Sequence, residues 1–309
     1  LRQTVDLRSP QVVLDLCAAP GGKSTHLLSL LSEDSVVVSN EVIRSRASIL
    51  EENLVKWGSA NSIVTSNDPR DFSGIGPVFD VIVIDAPCSG SGMFRKDPAS
   101  VEGWSDDLVN LCSRRQQRIL ADAWPALREN GVLLYSTCSY SVAEDEAIAD
   151  FICSSLGADS LPVQTVTDWN IVNSASVHTN AAGYRFYPDK IRGEGFYLAA
   201  FRKKVAAEPA PRSKSKPSWE AVPGKIQPVI RSWLHEAGVE LISSNDNILA
   251  LPPATLHCLQ QLKSLYIRKA GITLGKWSGK DLIPDHALAM SHLLATDTPS
   301  FAVNLEQAL

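Results

Sequence analysis

The sequence predicts an α/β protein, a doubly wound Rossmann-like parallel sheet followed by a smaller C-terminal α/β segment. Three observations predict it. Short apolar runs bounded by turn residues recur along the first two thirds of the chain, helix-period patterns lie between them, and the composition changes near residue 205. Continuous apolar runs suit strands buried on both faces, and their alternation with helices is the order that builds a parallel sheet.

The runs are Val12 to Leu16, Val36 to Ser39, Ser62 to Thr65, Val81 to Ile84 and Val132 to Tyr135. Ile43, Ala47, Leu50, Leu54 and Trp57 repeat at helical spacing, and Leu108, Leu111, Ile119 and Leu127 do so more loosely. Ser141 with Glu144 reads as a capping box opening the next helix. Gly195 to Arg202 alternates imperfectly, as a closing strand would. We expect a first domain over 1–204 and a linker over 205–225, where Pro, Ala, Ser and Lys leave little to bury. A small accessory domain over 226–309 is expected to follow.

A chain of 309 residues, 44% hydrophobic, can bury a sizeable core. No apolar stretch approaches the roughly 20 residues that cross a bilayer, and Leu1 to Pro10 lacks a signal-peptide pattern, so a cytoplasmic address without membrane contact is expected. The chain begins without Met, and we expect a segment to precede Leu1. Six widely spaced cysteines with no CxxC pair argue against a zinc site and against a disulfide scaffold. A net charge of -5 gives no global basic signature, so a nucleic-acid partner must meet a local patch.

The chemistry sits where strand-like runs end. In LDLCAAPGGKST, Asp15 closes a strand and is followed by Cys17, Ala18, Ala19, Pro20, Gly21, Gly22 and Lys23 at the start of a helix. Small residues there let a ligand approach the backbone, and the helix offers free N–H groups. Glu41 follows the second strand, where an acid accepts ribose hydroxyls, and Asp68 follows the third, where an acid binds an adenine amino group. Three strand-end acids in register suggest an adenosyl ligand. The GxxxxGK[ST] phosphate loop is missing, which argues against a nucleoside triphosphate. Two thiols then follow strand ends, Cys88 in DAPCSGSGMFRKDP and Cys138 in STCSYS.

CAAPGGK, NDPRDF, DAPCSGSGMFRKDP and STCSYS, in order and spacing, resemble the motifs of the Sun family of RNA (cytosine-5) methyltransferases over Val12 to about Lys203. YRFYPDKIRGEGFYLAAFRKK and LYIRKAGITLGKWSGKDLIPDHALAMS are most similar to the bacterial RsmF branch, which modifies cytidine in 16S ribosomal RNA. The resemblance implies an S-adenosyl-L-methionine-dependent methyltransferase sheet, with residues 17–23, Glu41, Asp68 and Asp85 around the cofactor. It implies an RNA partner, ribosomal RNA first and tRNA as the alternative. We expect the chain to stop before the PUA-like module that such proteins often carry.

It also implies roles. C5 of cytosine is a poor nucleophile, so a thiolate first adds at C6 and turns the ring into an enamine. The resemblance gives that attack to Cys138 and the later release of RNA to Cys88, whereas DNA cytosine methyltransferases use the PC cysteine as nucleophile. Two strand ends of one parallel sheet converge on one crevice, so both thiols can face one flipped base. Asp85 is implied beside cofactor and base, either donating to N3 when protonated or accepting from the exocyclic amine when ionised. Lys23 is implied either to lower a thiol pKa or to hold the methionine carboxylate. A non-catalytic assembly factor is the contrasting possibility, and intact Cys88, Cys138 and Asp85 argue against it.

Ser91 stands where the pattern has glutamate, Asn130-Gly131 where it has a glycine pair, and Asp189 where histidine is common. Arg95, Lys96 and Trp104 suit phosphate contact and base stacking, and Arg268, Lys269, Lys276, Trp277 and Lys280 suit an accessory RNA surface.

Overall fold

The structure, a computed structural model, describes residues 1–205, 219–235 and 238–298. Its first half alternates as the sequence predicts. β1 (Val12–Asp15), α1 (Gly22–Leu30), β2 (Val36–Asn40), α2 (Arg44–Trp57) and β3 (Ser62–Thr65) are followed by β4 (Phe79–Asp85), α3 (Asp106–Ala123), β5 (Leu127–Thr137) and α4 (Glu146–Ser155). The strands lie parallel in the order β3-β2-β1-β4-β5. The order turns back between β1 and β4, and a crevice opens outside their carboxyl ends.

Local chemistry accounts for these elements. β1 to β4 are apolar on both faces because helices cover both, and Val13, Leu14, Val37, Ile63 and Val81 are fully buried. α2 presents Ala47, Leu50 and Leu54 to the sheet at three-to-four spacing, while Ile43 and Trp57 stay exposed. α3 opens on Ser105, whose side chain accepts from Leu108 N, and Asp106 and Asp107 complement its dipole.

Antiparallel strands widen the sheet beyond β5. β6 (Ala158–Ser160), β7 (Val172–Ala175), β8 (Ala182–Phe186) and β9 (Phe196–Lys203) bring it to ten strands together with one from the C-terminal region. β9, the expected closing strand, pairs with β5 from Val132↔Arg202 to Thr137↔Tyr197.

Two local expectations are corrected. Leu127 does not belong to the helix, because α3 ends at Ala123, the Pro125 turn intervenes, and Leu127 opens β5. Ser141 and Glu144 form no capping box: α4 begins at Glu146 behind Asp145 without a side-chain cap, and the Glu144 carboxylate is engaged elsewhere.

β10 (Glu220–Ala221), α5 (Gln227–Arg231), β11 (Glu240–Ser244), β12 (Asn247–Leu251), α6 (Pro253–Gln261), β13 (Ile267–Ala270), β14 (Ile272–Ser278), β15 (Asp281–Pro284) and α7 (His286–Ala289) follow. β10-β11-β12-β14-β15 form a second, antiparallel sheet with its own core of Ile230, Leu241, Ile248, Leu274, Leu282 and Leu288. β13 instead joins the first sheet, antiparallel to β3, and Cys258, Leu259 and Leu262 of the α6 region pack into the first core. Gly271 hands the chain from one sheet to the other. Its φ is 58°, and a Cβ there would meet Ala250 O at 2.3 Å, so only glycine fits. Of the segment expected as a linker, 206–218 lies outside the described residues. Its end is built in: Trp219 packs against the first core, and β10 pairs with β11.

Candidate active site

Register brings the two thiol motifs together. Asp85, the last residue of β4, pairs with Ser136 of β5, so the loops after them leave the sheet side by side. Ala86 N–H donates to Ser136 O, and Gly92 N–H donates to Cys138 O, both at 2.8 Å. Gly92 is required by that approach, since a Cβ would lie 2.8 Å from Cys138 O and 2.6 Å from Gly195 O. The result places Cys88 Sγ 3.1 Å from Cys138 Sγ, with both residues half-buried and reduced.

The thiols share one hydrogen bond and do not titrate alike. With Cys88 donating, that bond holds the Cys138 thiol below its ordinary value, against the opposing effect of burial. The same bond, then burial and the Cys138 charge, push Cys88 well up.

Asp85 lies next to them. Lys23 Nζ donates to its Oδ2 at 2.7 Å and Ser136 Oγ to its Oδ1 at 2.8 Å. Lys23 Nζ also sits 5.6 Å above the Phe196 ring. Its hydrogen-bond partner here is thus Asp85, on the wall of the same cleft.

A cleft of about 390 Å³ runs from the thiols across the switch point, and Cys17, Ala19, Glu41, Asp68, Asp85, Cys88 and Cys138 all line it. Ala18, Pro20, Gly21, Gly22 and Lys23, in and beside the same turn, are not among the lining residues, and Pro20, Gly22 and Lys23 are exposed. Glu41 is buried, with Oε1 accepting from Ile43 N at 3.0 Å and Oε2 lying 3.4 Å from Arg46 Nη1. Asp68 caps the turn Pro69–Gly74 through Arg70 N and lies 3.8 Å from Arg118 Nη1. Burial pushes the Cys17 thiol far up, so it is an apolar lining group. Asp15 lies fully buried behind the cleft. Its Oδ2 accepts from Ser24 Oγ at 2.7 Å, its Oδ1 has no hydrogen-bond partner among the described residues, and burial raises its carboxyl to about 6.

Comparison with known proteins places this geometry. The family described as 16S rRNA methyltransferase RsmB/F matches residues 2–202. The chain belongs to the RsmB/F family. A ribosomal RNA small subunit methyltransferase F of Vibrio cholerae is 31% identical over 305 residues, covering 95% of this chain and 63% of that protein. One of Pectobacterium atrosepticum is 32% identical over 206 residues, covering 66% and 42%. The chain thus spans less than two thirds of these curated relatives. Among solved structures, NSun6 from Pyrococcus horikoshii with SFG is 31% identical with a TM-score of 0.55, over 63% of this chain and 48% of that one.

Several residues expected to meet RNA are engaged inside this RsmB/F chain. Arg95 is spent on Glu194, Pro188 O and Gly193 O. Trp104 Nε1 donates to Ser89 Oγ at 3.3 Å, and its ring meets Phe94 edge-on. Arg268 pairs with Glu51 at 2.7 Å and donates to Ser48. Lys269 is buried, donating to Ser62 Oγ and Gly271 O, and burial lowers its ammonium to about 8. Trp277 packs against the second core, whereas Lys96, Lys276 and Lys280 remain exposed.

Sequence reasoning overlooked the acids behind the thiols. Glu144, Asp145 and Glu146 are all buried, and Arg185 is held by Asp145 at 3.1 Å and by Glu146. Burial raises the Asp145 carboxyl to about 8, although Thr137 Oγ1 donates to it. Three consecutive acids shortly after STCSYS were the available signal.

Proposed function

We propose that this chain carries the catalytic part of an S-adenosyl-L-methionine-dependent RNA (cytosine-5) methyltransferase acting in the cytoplasm on a cytidine of 16S ribosomal RNA. One observation carries the reading: two free thiols 3.1 Å apart, beside an acid, at the mouth of a cleft lined by strand-end acids. Membership of RsmB/F and the names of the relatives support the substrate class.

The residues fit the cofactor. Glu41 offers a buried carboxylate on the cleft wall, Gly22 leaves open space at the start of α1, and Asp15 keeps an unpartnered buried oxygen behind it. The related NSun6 structure was solved with SFG, an analogue of S-adenosylmethionine. When bound, the cofactor supplies an electrophilic methyl group. Residues 17–23, Glu41, Asp68 and Asp85 would hold it.

This chain's own groups do the rest. The Cys138 thiolate adds to C6 of the flipped cytosine, forming an S–C6 bond and shifting the C5–C6 π electrons so that C5 becomes nucleophilic. Asp85, which already receives Lys23 and Ser136, accepts from the exocyclic amine and fixes the ring. Once C5 carries its methyl group, Cys88 assists loss of the C5 proton, the electron pair re-forms C5=C6, and Cys138 leaves as thiolate.

The test is transfer of labelled methyl groups to 16S ribosomal RNA and, separately, to tRNA, with 5-methylcytidine mapped in the product. Labelling of 16S RNA at a single cytidine is expected. Labelling of tRNA alone would move the substrate to the second RNA class, and labelling of neither would remove the reading.

A further inference from the structure

Glu144 is fully buried, and the partners of its carboxylate are neutral and come from three directions. Ser89 N–H donates to Oε1 at 2.8 Å, Gln116 Nε2 of α3 to Oε1 at 3.1 Å, Ser139 Oγ to Oε2 at 2.7 Å, and Ser89 Oγ also to Oε2. Ser89 follows Cys88 directly and Ser139 follows Cys138 directly. One carboxylate thus grips the residue next to each thiol. The grip is anchored: Tyr135 Oη of β5 donates to Glu144 O at 2.7 Å, and the same Gln116 amide donates to Pro87 O at 3.0 Å, on the near side of Cys88. The nearby Arg185 is spent on Asp145 and Glu146.

A buried carboxylate that meets only neutral donors is costly unless all of them are well placed. Its charge does not help the chemistry, because it raises both thiols and so opposes thiolate formation. What it supplies is reach, a planar two-oxygen acceptor able to tie two loops at once.

We propose that Glu144 is a positioning residue that ties the Cys88 loop to the Cys138 loop and so sets the separation of the two thiols. The inference rests on the two-thiol reading above. It concerns only the distance between the loops, and a test without RNA or cofactor reads that distance directly.

Diamide oxidation of the whole chain provides it. Two neighbouring thiols lose two protons and two electrons to diamide, which becomes the hydrazine, and a Cys88–Cys138 disulfide forms that peptide mapping locates. Glu144→Gln keeps reach and loses charge, its oxygen still accepting from Ser89 N and Gln116 while its amide NH2 donates to the Ser89 and Ser139 hydroxyls, which can rotate to accept; Glu144→Asp keeps charge and loses reach, and Glu144→Ala loses both. Glu144→Gln should oxidise within about threefold of the wild-type rate, with Glu144→Asp and Glu144→Ala about tenfold slower, since disulfide formation needs close and aligned thiols. In RNA methylation the same two variants should lose about 100-fold in kcat, with KM for RNA and calorimetric affinity for S-adenosylmethionine within about threefold of wild type.

Wild-type oxidation rates in Glu144→Asp with slow rates in Glu144→Gln would show that charge matters and would overturn the proposal. So would wild-type behaviour of all three, or failure of the unaltered chain to form the disulfide. If Glu144→Ala does not fold, the Asp and Gln variants still decide. Failure of the two-thiol reading is a separate outcome, visible as methyl transfer by Cys138→Ala whatever the oxidation rates.

Discussion

At the carboxyl ends of β4 and β5, order comes from side chains converging on one buried carboxylate. At the β3 edge it comes from β13, which arrives from far along the chain and adds backbone pairs from Ile267↔Thr65 to Ala270↔Ile63. The thiol end concentrates half-buried reactive groups and buried acids, an arrangement that folding alone would avoid. The β3 edge uses a strand pair, an Arg268–Glu51 ion pair and a buried Lys269, and covers an otherwise open sheet edge. Substitutions at the first should change chemistry, and substitutions at the second should change stability.

The sharpest way to break that comparison is at the thiols. Cys138→Ala should lower methyl transfer by about 10⁴-fold or more, as loss of a covalent nucleophile does, while calorimetry finds cofactor affinity unchanged. Cys88→Ala should still allow attack and transfer but trap the adduct. A protein–RNA species stable to denaturing electrophoresis should accumulate, require S-adenosylmethionine, and vanish when Cys138→Ala is added. The reverse pattern, with adduct from Cys138→Ala, would exchange the two roles.

The same contrast governs how much was legible in the sequence. The parallel strands and the strand-end places of Cys88, Cys138, Asp85 and Glu41 could be read because each depends on a short window in which apolar period and turn chemistry decide, whereas the roles of Cys88, Cys138 and Asp85 came from the resemblance of their motifs to the family. Glu144 could not, because Ser141 and Glu144 fit a capping box locally and only the folded register shows the carboxylate reaching Ser89. β13 could not either, because IRKA carries too little apolar pattern and its partner β3 is remote in sequence. The burial of Lys269 could not be read either, because charge in a sequence does not reveal burial.

A smaller effect is expected on the cofactor side. Glu41→Ala removes a buried carboxylate from the cleft wall, together with its contacts to Ile43 N and Arg46. Loss of hydrogen bonds to a charged group should weaken S-adenosylmethionine binding by about 1.5 to 3 kcal/mol, roughly 10- to 150-fold in Kd. Calorimetry checks it, and an unchanged Kd would make Glu41 an anchor for Ile43 and Arg46 alone.

Asp15 tests whether the active-site end is held at a cost in stability. Its folded carboxyl is raised to about 6 by burial, above its ordinary 3.8, so the folded state binds the proton more tightly than the unfolded state. Stability from this group is therefore present below about pH 4 and lost as pH rises through about 6. Asp15→Asn, which can still meet Ser24, should stabilise the cofactor-free chain by about 1 to 3 kcal/mol at pH 7.5, with the gain gone near pH 4. Urea unfolding at the two pH values decides it, and a gain independent of pH would mean that the charge is not its source.

The smallest effect belongs to the β3 edge. Arg268 reaches Glu51 at 2.7 Å and Ser48 at 3.1 Å, but the side chains of Arg268 and Glu51 keep 20% and 31% of their surface exposed, so water screens the pair. Arg268→Ala should cost about 1 kcal/mol or less in urea unfolding, the range for partly exposed ion pairs. Its kcat and KM on 16S-derived RNA should stay at wild-type values, because β13 is fixed mainly by backbone pairing and by Ala270 in the first core. If KM for RNA instead rose with unfolding unchanged, Arg268 would be an RNA contact as its sequence suggests. The β3 edge would then belong to the binding surface, and its separation from the thiol end would fail.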